Sequence, residues 1–144
     1  MQIKSSKKSS TKRKLISECD QLVRKLVLNR DDYKCVRCGG NHVLQASHVI
    51  SKGRATRIRF ELLNVLTMCL KCHIFWAHRD PVGFVDWVNK TYPGRIEQLQ
   101  IMAATAGKLD LKELVIALRR EVESLDPPSK AVIPDLNCAT NLPF

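Results

Sequence analysis

Two Cys-x-x-Cys pairs are the residues of this sequence whose types and spacing most clearly suit a chemical role. The first pair is Cys35 and Cys38, and the second is Cys69 and Cys72, which His73 follows directly. A gap of two residues lets both sulfurs of a pair reach one metal ion, and four thiolates suit a tetrahedral Zn²⁺. We therefore predict a structural zinc site with these four cysteines as its ligands.

A second set of polar residues lies between the two pairs. The 30 residues that separate Cys38 from Cys69 exceed the spacing of a plain zinc ribbon, so we expect further structure inside the metal clip. His48 and Asn64 occur there in that order before His73, and four basic residues accompany them: Lys52, Arg54, Arg57 and Arg59. The order histidine, asparagine, histidine marks the place where we expect catalytic chemistry.

A hairpin and a set of helices must position these residues. Helical spacing of apolar residues over 12–30 predicts a long helix with Cys19 on its apolar stripe, ended by two aspartates. Inside the clip, 42–50 and 63–68 are typical of short strands, and 70–77 is typical of the start of a helix. The clip therefore holds a β-hairpin followed by a helix.

The rest of the chain is predicted to be helical. Asp80-Pro81 has the form of an N-cap with a first-turn proline, and Asp110-x-x-Glu113 resembles a capping box that opens a helix over 110–125. With a helix over 95–106, we expect an αα-hairpin rather than a DNA-binding helix-turn-helix. The predicted class is α+β, with four parts: a basic disordered arm (1–11), a zinc-clipped core (12–90), a helical hairpin (91–126) and a tail (127–144).

The charge of the chain favours a polyanionic partner. The net charge is +10, and counting along the sequence gives 17 basic and 5 acidic residues over 1–79, which is +12. A basic half around a metal clip is typical of nucleic-acid-binding proteins. Because no stretch is long and apolar enough for a membrane span and 1–14 lacks the apolar core of a secretory signal, we expect a cytoplasmic protein without a membrane partner.

The order of these motifs resembles the His-Asn-His (HNH) nuclease family, whose core is a ββα-metal finger often clipped by two Cys-x-x-Cys pairs. The resemblance is closest to phage-type members similar to the lambdoid NinG (Rap) recombination proteins. The matching segments are His48-Val49-Ile50-Ser51-Lys52 and Arg59-Phe60-Glu61-Leu62-Leu63-Asn64. The resemblance covers about residues 12–90 and does not extend to the C-terminal helices.

The resemblance implies a role for each matching residue. His48 would be the general base, Asn64 would keep it oriented, and His73 would bind a catalytic Mg²⁺ or Mn²⁺. Arg57 or Arg59 would bind a phosphate, with Lys52 and Arg54 as further DNA contacts. Many relatives carry Asp or His as a second metal ligand where this chain has Ser47. His78 is an alternative ligand, although five residues from His73 it is expected to lie off the same face of an α-helix.

The sequence thus predicts an HNH endonuclease that hydrolyses DNA phosphodiesters, with branched or nicked DNA among its possible substrates. If the protein is phage-encoded, we expect it to act in the host cytoplasm. A second hypothesis is a zinc-clipped nucleic-acid-binding module without catalysis. Ser47 favours it, because a hydroxyl is a poor ligand for a catalytic metal. A third is a haem-binding electron carrier, because Cys69-x-x-Cys72-His73 matches the c-type haem attachment signature. That signature leaves the first cysteine pair unexplained.

Overall fold

The computed structural model describes residues 4–125, which form a small α+β domain as the sequence predicted. Its elements in chain order are α1 (Lys4–Arg30), β1 (Leu44–His48), β2 (Val65–Cys69), α2 (Pro81–Thr91), α3 (Arg95–Thr105) and α4 (Leu111–Glu123). Two 3₁₀ turns, Thr56–Ile58 and Leu62–Asn64, lie between the strands, and a π-helix, Lys71–Ala77, joins β2 to α2. The predicted tail, with Cys138, lies outside the described residues. Within 4–125 no helix combines the length and apolar character needed to cross a membrane.

β1 and β2 form an antiparallel hairpin whose second strand is buried on both faces. The register pairs His48 with Val65. Side chains alternate along a strand, so neighbouring residues of β2 face opposite sides. Val65 packs against α1, whereas Leu66 and Met68 pack in the cluster that contains Cys35, Cys69 and Cys72. β2 is therefore the layer between these two apolar clusters, and a third cluster lies at the loop between the strands. β1 is about half as long as the predicted range 42–50, and β2 begins two residues later and ends one residue later than the predicted range 63–68.

α1 supplies one wall of the core and is covered by α4. The predicted stripe of α1 is buried, and Cys19 on it is fully enclosed, as expected of a small core residue. Val115 and Leu118 of α4 pack against that stripe, and Arg119 of α4 hydrogen-bonds to Glu18 of α1. The first and fourth helices are thus held together although they are far apart in the sequence.

α1 begins earlier than the sequence suggested. The helix starts at Lys4 rather than at residue 12, so the segment predicted as a disordered arm is helical from its fourth residue onward. Lysine is a good helix former, serine is only mildly unfavourable, and 4–11 contains neither glycine nor proline. A helix already nucleated by the buried stripe can therefore continue through these residues.

The prediction of an αα-hairpin over 91–126 was wrong. α3 packs through Leu99 on Ala55 and Ile58 of the loop between the strands, whereas α4 packs on α1. The two helices are correctly placed in the sequence but bury their apolar faces against different partners. α3 therefore supports the loop of the candidate site, and α4 is part of the main core.

Both predicted N-caps are confirmed. The carboxylate of Asp80 accepts a hydrogen bond of 2.9 Å from the amide of Gly83, with Pro81 in the first turn of α2. The carboxylate of Asp110 accepts hydrogen bonds from the amides of Lys112 and Glu113 at the start of α4. These caps satisfy amides that have no partner within the helix.

Candidate metal centre and histidine cleft

Four cysteine sulfurs converge at one end of the hairpin. Cys35 and Cys38 lie in the loop after α1, Cys69 ends β2, and Cys72 lies in the π-helix. The four Sγ atoms lie within 4.8 Å of one another, and those of Cys38 and Cys69 are 3.7 Å apart. A tetrahedron with Zn–S bonds of about 2.3 Å has edges of about 3.8 Å. The quartet is therefore positioned to bind a metal such as zinc, and it uses both pairs, unlike haem attachment.

Backbone hydrogen bonds shape the first pair. The amide of Cys35 donates to the carbonyl of Gly40 at 2.7 Å, and the amide of Gly39 donates back to the carbonyl of Cys35 at 2.8 Å. Gly39 has a φ of 73°, a left-handed conformation that favours glycine. Burial raises the pKa of the Cys35 thiol, but hydrogen bonds outweigh it and lower the pKa to about 7; the main donors are the amides of Cys69, Cys38 and Arg37. The thiolate form of Cys35 is thereby favoured, whereas burial raises the pKa of the Cys72 thiol to about 12.

The orientation of His48 is set by the backbone. His48 ends β1, and its Nε2 lies 2.9 Å from the carbonyl oxygen of Arg59. A carbonyl oxygen only accepts hydrogen bonds, so Nε2 carries the proton and Nδ1 keeps a free lone pair. A general base needs that lone pair, so the geometry suits the role that the resemblance implies.

Asn64 ties together the two ends of the loop between the strands. Its side chain is fully buried, and its Oδ1 accepts from the amide of Ile50 at 2.8 Å. Its Nδ2 donates to the carbonyls of Ile50 and Ile58 at 3.0 and 3.2 Å. Since Arg59 follows Ile58, these bonds hold the segment whose carbonyl orients His48. This is the arrangement that the predicted orienting role requires.

His73 and His78 are brought together by the π-helix. The amide of His78 donates to the carbonyl of His73 at 3.1 Å, the five-residue hydrogen bond of a π-turn. The two ring centres are 4.6 Å apart. The expectation that His78 lies off the face of His73 was therefore wrong, because it assumed an α-helix. The two imidazole rings therefore lie side by side, edge to face.

Burial keeps His73 neutral. Burial, followed by the nearby charges of His78, His48 and Lys52, lowers its pKa from 6.5 to about 4. Its Nδ1 lies 2.7 Å from Oε1 of Gln45, so Nδ1 donates and Nε2 keeps its lone pair. A neutral imidazole with an oriented second nitrogen is the usual form of a metal-binding histidine.

A cleft of about 380 Å³ lies beside these histidines. His48, His78 and Ser47 line it, with Phe84 among its apolar walls. Ser47, directly before His48 in the sequence, is almost fully buried and supplies a hydroxyl to the cleft. Within residues 4–125, the cysteine quartet is the one group of three or more metal-binding side chains with ligand atoms close enough to share an ion. The three histidines therefore do not form a closed three-ligand site.

Arg59 and Lys52 contact a carboxylate that the sequence did not single out. The guanidinium of Arg59 donates to both oxygens of Asp20 on α1, at 3.2 and 2.6 Å. Nζ of Lys52 lies 3.5 Å from the same carboxylate. Arg59 is thus engaged within the protein rather than free for a phosphate, and it anchors the loop of the candidate site to α1.

Arg57 and Arg54, the other two residues predicted to contact DNA, differ in the surroundings of their side chains. Nη1 of Arg57 donates to the carbonyl of Ala106, just after α3, at 3.0 Å, although the side chain remains exposed. Arg54 is exposed and offers its guanidinium to solvent. His42 is also exposed and lies outside the cleft.

Sequence reasoning missed Gln45, Asp20 and Arg37, each of which contacts a candidate site residue. Gln45 lies on β1 two positions before Ser47, so the alternation of a strand predicts that both face the same side. That alternation was the available signal for Gln45. The contacts of Asp20 and of Arg37 depend on how α1 and the first cysteine pair pack, which no local pattern reveals.

No family model, curated protein or solved structure matches this chain in comparisons of sequence and structure. The roles considered below therefore depend on the geometry of the chain itself and on the resemblance of its motifs.

Proposed function

We propose that this protein is a metal-dependent endonuclease of the HNH type that hydrolyses DNA phosphodiester bonds. The observation that carries the proposal is the arrangement of three neighbouring histidines, two of which, His48 and His78, line the cleft. His48 has a free Nδ1, and the neighbouring His73 and His78 are held 4.6 Å apart by the π-turn. A base next to a pair of metal-binding groups is what phosphodiester hydrolysis requires.

In the proposed mechanism, Nδ1 of His48 takes the proton of the attacking water while Nε2–H stays bonded to the carbonyl of Arg59. Asn64 keeps that carbonyl in place through the hydrogen bond to Ile58. A divalent cation held by His73, with His78 beside it, would neutralise the charge that develops on the leaving oxygen. Imidazole ligands suit Mn²⁺ or another transition ion better than Mg²⁺, which prefers oxygen.

The charge distribution supports DNA as the substrate. The +12 charge of residues 1–79 includes the exposed Lys52 and Arg54 in the loop that follows His48. Cations in that loop can contact phosphates on either side of the scissile bond, and such contacts bind without regard to sequence. The proposal therefore includes non-specific DNA binding that weakens as salt rises.

The test is cleavage of supercoiled plasmid and of branched DNA by the purified protein with Mn²⁺, Mg²⁺ or EDTA. His48→Ala should lower the cleavage rate by about 10²–10⁴-fold, the usual contribution of a general base, without changing DNA affinity. His42→Ala is the matched control, because it removes an exposed histidine outside the cleft. Parent-like cleavage by His48→Ala at saturating metal would contradict the proposal.

The alternative is a zinc-clipped nucleic-acid-binding module without catalysis. Ser47 favours it, because a buried hydroxyl stands where a second strong ligand would be expected. Such a module would bind DNA with the same salt dependence, and it would leave plasmid intact with every divalent ion. The same cleavage assay therefore separates the two functions.

A further inference from the structure

Arg37 lies between the two ligands of the first cysteine pair, yet its side chain contacts the second pair. Its Nη1 donates to Sγ of Cys72 at 3.5 Å, and its guanidinium carbon lies 3.6 Å from the ring centre of Trp76. We propose that Arg37 is a positioning residue that stabilises the four-thiolate metal centre and fixes the π-helix to it. The part that concerns the histidines rests on the proposed function, whereas the part that concerns the metal centre does not.

The first step of the argument is charge. A divalent ion with four thiolates carries a net charge of about −2, which a neighbouring cation offsets. Among the hydrogen bonds of residues 4–125, the bond from Arg37 is the one that a cationic side chain donates to a sulfur of the quartet. An N–H donor to a thiolate also reduces the electron density on the sulfur, which slows its protonation and its loss from the metal. Arg37 should therefore slow the release of the ion.

The second step is the contact with Trp76. A guanidinium 3.6 Å from the ring centre is within the range of a cation–π interaction and fixes the plane of the indole. Trp76 lies in the π-helix between His73 and His78, and the amide of Asp80 donates to its carbonyl at 2.8 Å. A change in the position of Trp76 would therefore displace the turn that brings the two histidines together.

The third step is the contact of Trp76 with aromatic rings of α2. Its ring meets those of Phe84 and Trp87 of α2 edge to face, each with 5.9 Å between ring centres. The indole thus contacts both Arg37 and two aromatic rings of α2. Arg37 and these rings therefore connect the first cysteine pair to the π-helix, which carries Cys72 and His73 and ends next to His78.

A simpler account would make Arg37 a solvated DNA contact, since the residue as a whole is exposed. The two accounts predict different results when the charge is kept and the planar guanidinium is lost. A phosphate contact tolerates Arg37→Lys, because lysine is also a phosphate-binding cation. An Arg37 that stacks on Trp76 and donates to Cys72 does not tolerate this substitution, because an ammonium group cannot make both contacts in the same geometry.

The experiment uses the full chain loaded with Co²⁺ in place of Zn²⁺, so that the sulfur-to-metal charge-transfer absorption reports on the thiolates directly. Arg37→Gln should shift this band and accelerate metal loss to a chelator by about 10–100-fold, the usual effect of removing a group that supports a metal ligand. Arg37→Lys should give an intermediate rate. Arg120→Gln, at an exposed arginine of α4, is the matched control and should behave as the parent.

Metal release and absorption at the parent values in both Arg37 variants would overturn the proposal. Where Arg37→Gln does not fold, Arg37→Lys and Trp76→Phe decide, and parent-like release from both would overturn it equally. The coupling to the histidines has a separate readout, an increase in the Mn²⁺ concentration required for cleavage by Arg37→Gln. If the parent cleaves no DNA, the proposed nuclease fails, while metal release still tests Arg37 at the quartet.

Discussion

The imidazole of His48 is partly buried, and burial is the main influence on its pKa. Burial lowers that pKa below its ordinary value of 6.5, the hydrogen bond to the carbonyl of Arg59 raises it in part, and the charge of Lys52 lowers it again. The net pKa is lowered, so the neutral form needed of a general base persists into mildly acidic solution. His73, with a pKa of about 4, stays neutral over the same range.

We therefore predict a cleavage rate that is retained below pH 6.5. As the pH falls through the lowered pKa, His48 takes up a proton, its Nδ1 can no longer accept one from water, and kcat/KM declines. The measurement is kcat/KM for plasmid nicking between pH 5 and 8 at saturating Mn²⁺, with His42→Ala as the control. An acidic limb with its midpoint at or above pH 6.5 would contradict a burial-lowered base.

Ser47 offers a second test at the residue scale. Ser47→Asp places a carboxylate among His48 and His78 at a position that is only 2% exposed. Because a buried carboxylate is costly unless it is paired, the variant should be less stable than the parent without divalent ions. Mn²⁺ should then raise its melting temperature more than that of the parent, since a ligand that binds the folded state stabilises it.

The control for this prediction is the double variant Ser47→Asp with His73→Ala, in which the additional stabilisation by Mn²⁺ should disappear. Equal effects of Mn²⁺ on the parent and on Ser47→Asp, in thermal unfolding of both proteins, would show that the cleft does not bind the ion at this position.

At the scale of elements, the loop between the strands depends on α1. Asp20 of α1 accepts two hydrogen bonds from Arg59, and both side chains are less than a third exposed. This ion pair holds the segment whose carbonyl orients His48. Burial raises the pKa of the Asp20 carboxyl, but the hydrogen bonds and positive charges of Arg59 and Lys52 outweigh it. The pKa is therefore held below its usual value.

Asp20→Asn should therefore destabilise the protein by about 1–2 kcal/mol, because it weakens a charge-assisted pair that is partly shielded from water. Asp86→Asn is the matched control. It removes the carboxylate of a pair with Lys90 whose side chains are 62% and 76% exposed, and water screens such an exposed pair so strongly that it contributes little to stability. Urea unfolding of the two variants and the parent measures both values. Equal small losses would show that Asp20 does not anchor the loop.

Local patterns were sufficient to predict most elements. The apolar stripe of α1, the caps at Asp80 and Asp110 and the strands of the hairpin depend on nearby residues, which the sequence displays directly. The partner of α4 was not predictable in this way, because its amphipathic face fits any apolar surface of suitable size. Only the complete core decides that this face covers α1 rather than α3.

The π-helix is the element that changes the candidate site most. Residue types and helical propensities do not distinguish a π-turn from an α-turn, so 70–77 was predicted as an ordinary helix start. In the structure the turn is fixed from both ends, by Cys72 in the quartet and by the carbonyl of Trp76, which accepts from Asp80. Only in a π-turn does a spacing of five residues place the side chains of His73 and His78 next to each other.

At the scale of the whole molecule, β2 separates two apolar clusters, of which only one contains cysteines of the quartet. One cluster joins α1 and α4 and contains none of the quartet cysteines. The other contains Cys35, Cys69 and Cys72 together with Leu66, Met68 and residues of α2. Both tryptophans of the chain, Trp76 and Trp87, pack against this second cluster. Tryptophan fluorescence therefore reports on the metal side of the molecule alone.

Metal removal should consequently affect the two sides differently. Without an ion, four thiols lie within 4.8 Å of one another in a partly buried site, where thiolates repel one another. We expect chelation, or Cys72→Ser, to open the second cluster, shift tryptophan emission to longer wavelength and remove the π-turn. The α1–α4 pair should retain much of its helical circular dichroism, because its cluster needs no metal ligand.

The matched control is Cys19→Ala, at a fully buried cysteine of the first cluster that lies outside the quartet. This variant should keep about one metal ion per chain by elemental analysis and should keep the parent emission. Zinc restored after chelation should return the emission, since the binding energy of a structural zinc is also folding energy. A metal-free protein with parent emission and parent melting temperature would contradict this dependence, because the second cluster would then be stable through its apolar contacts alone.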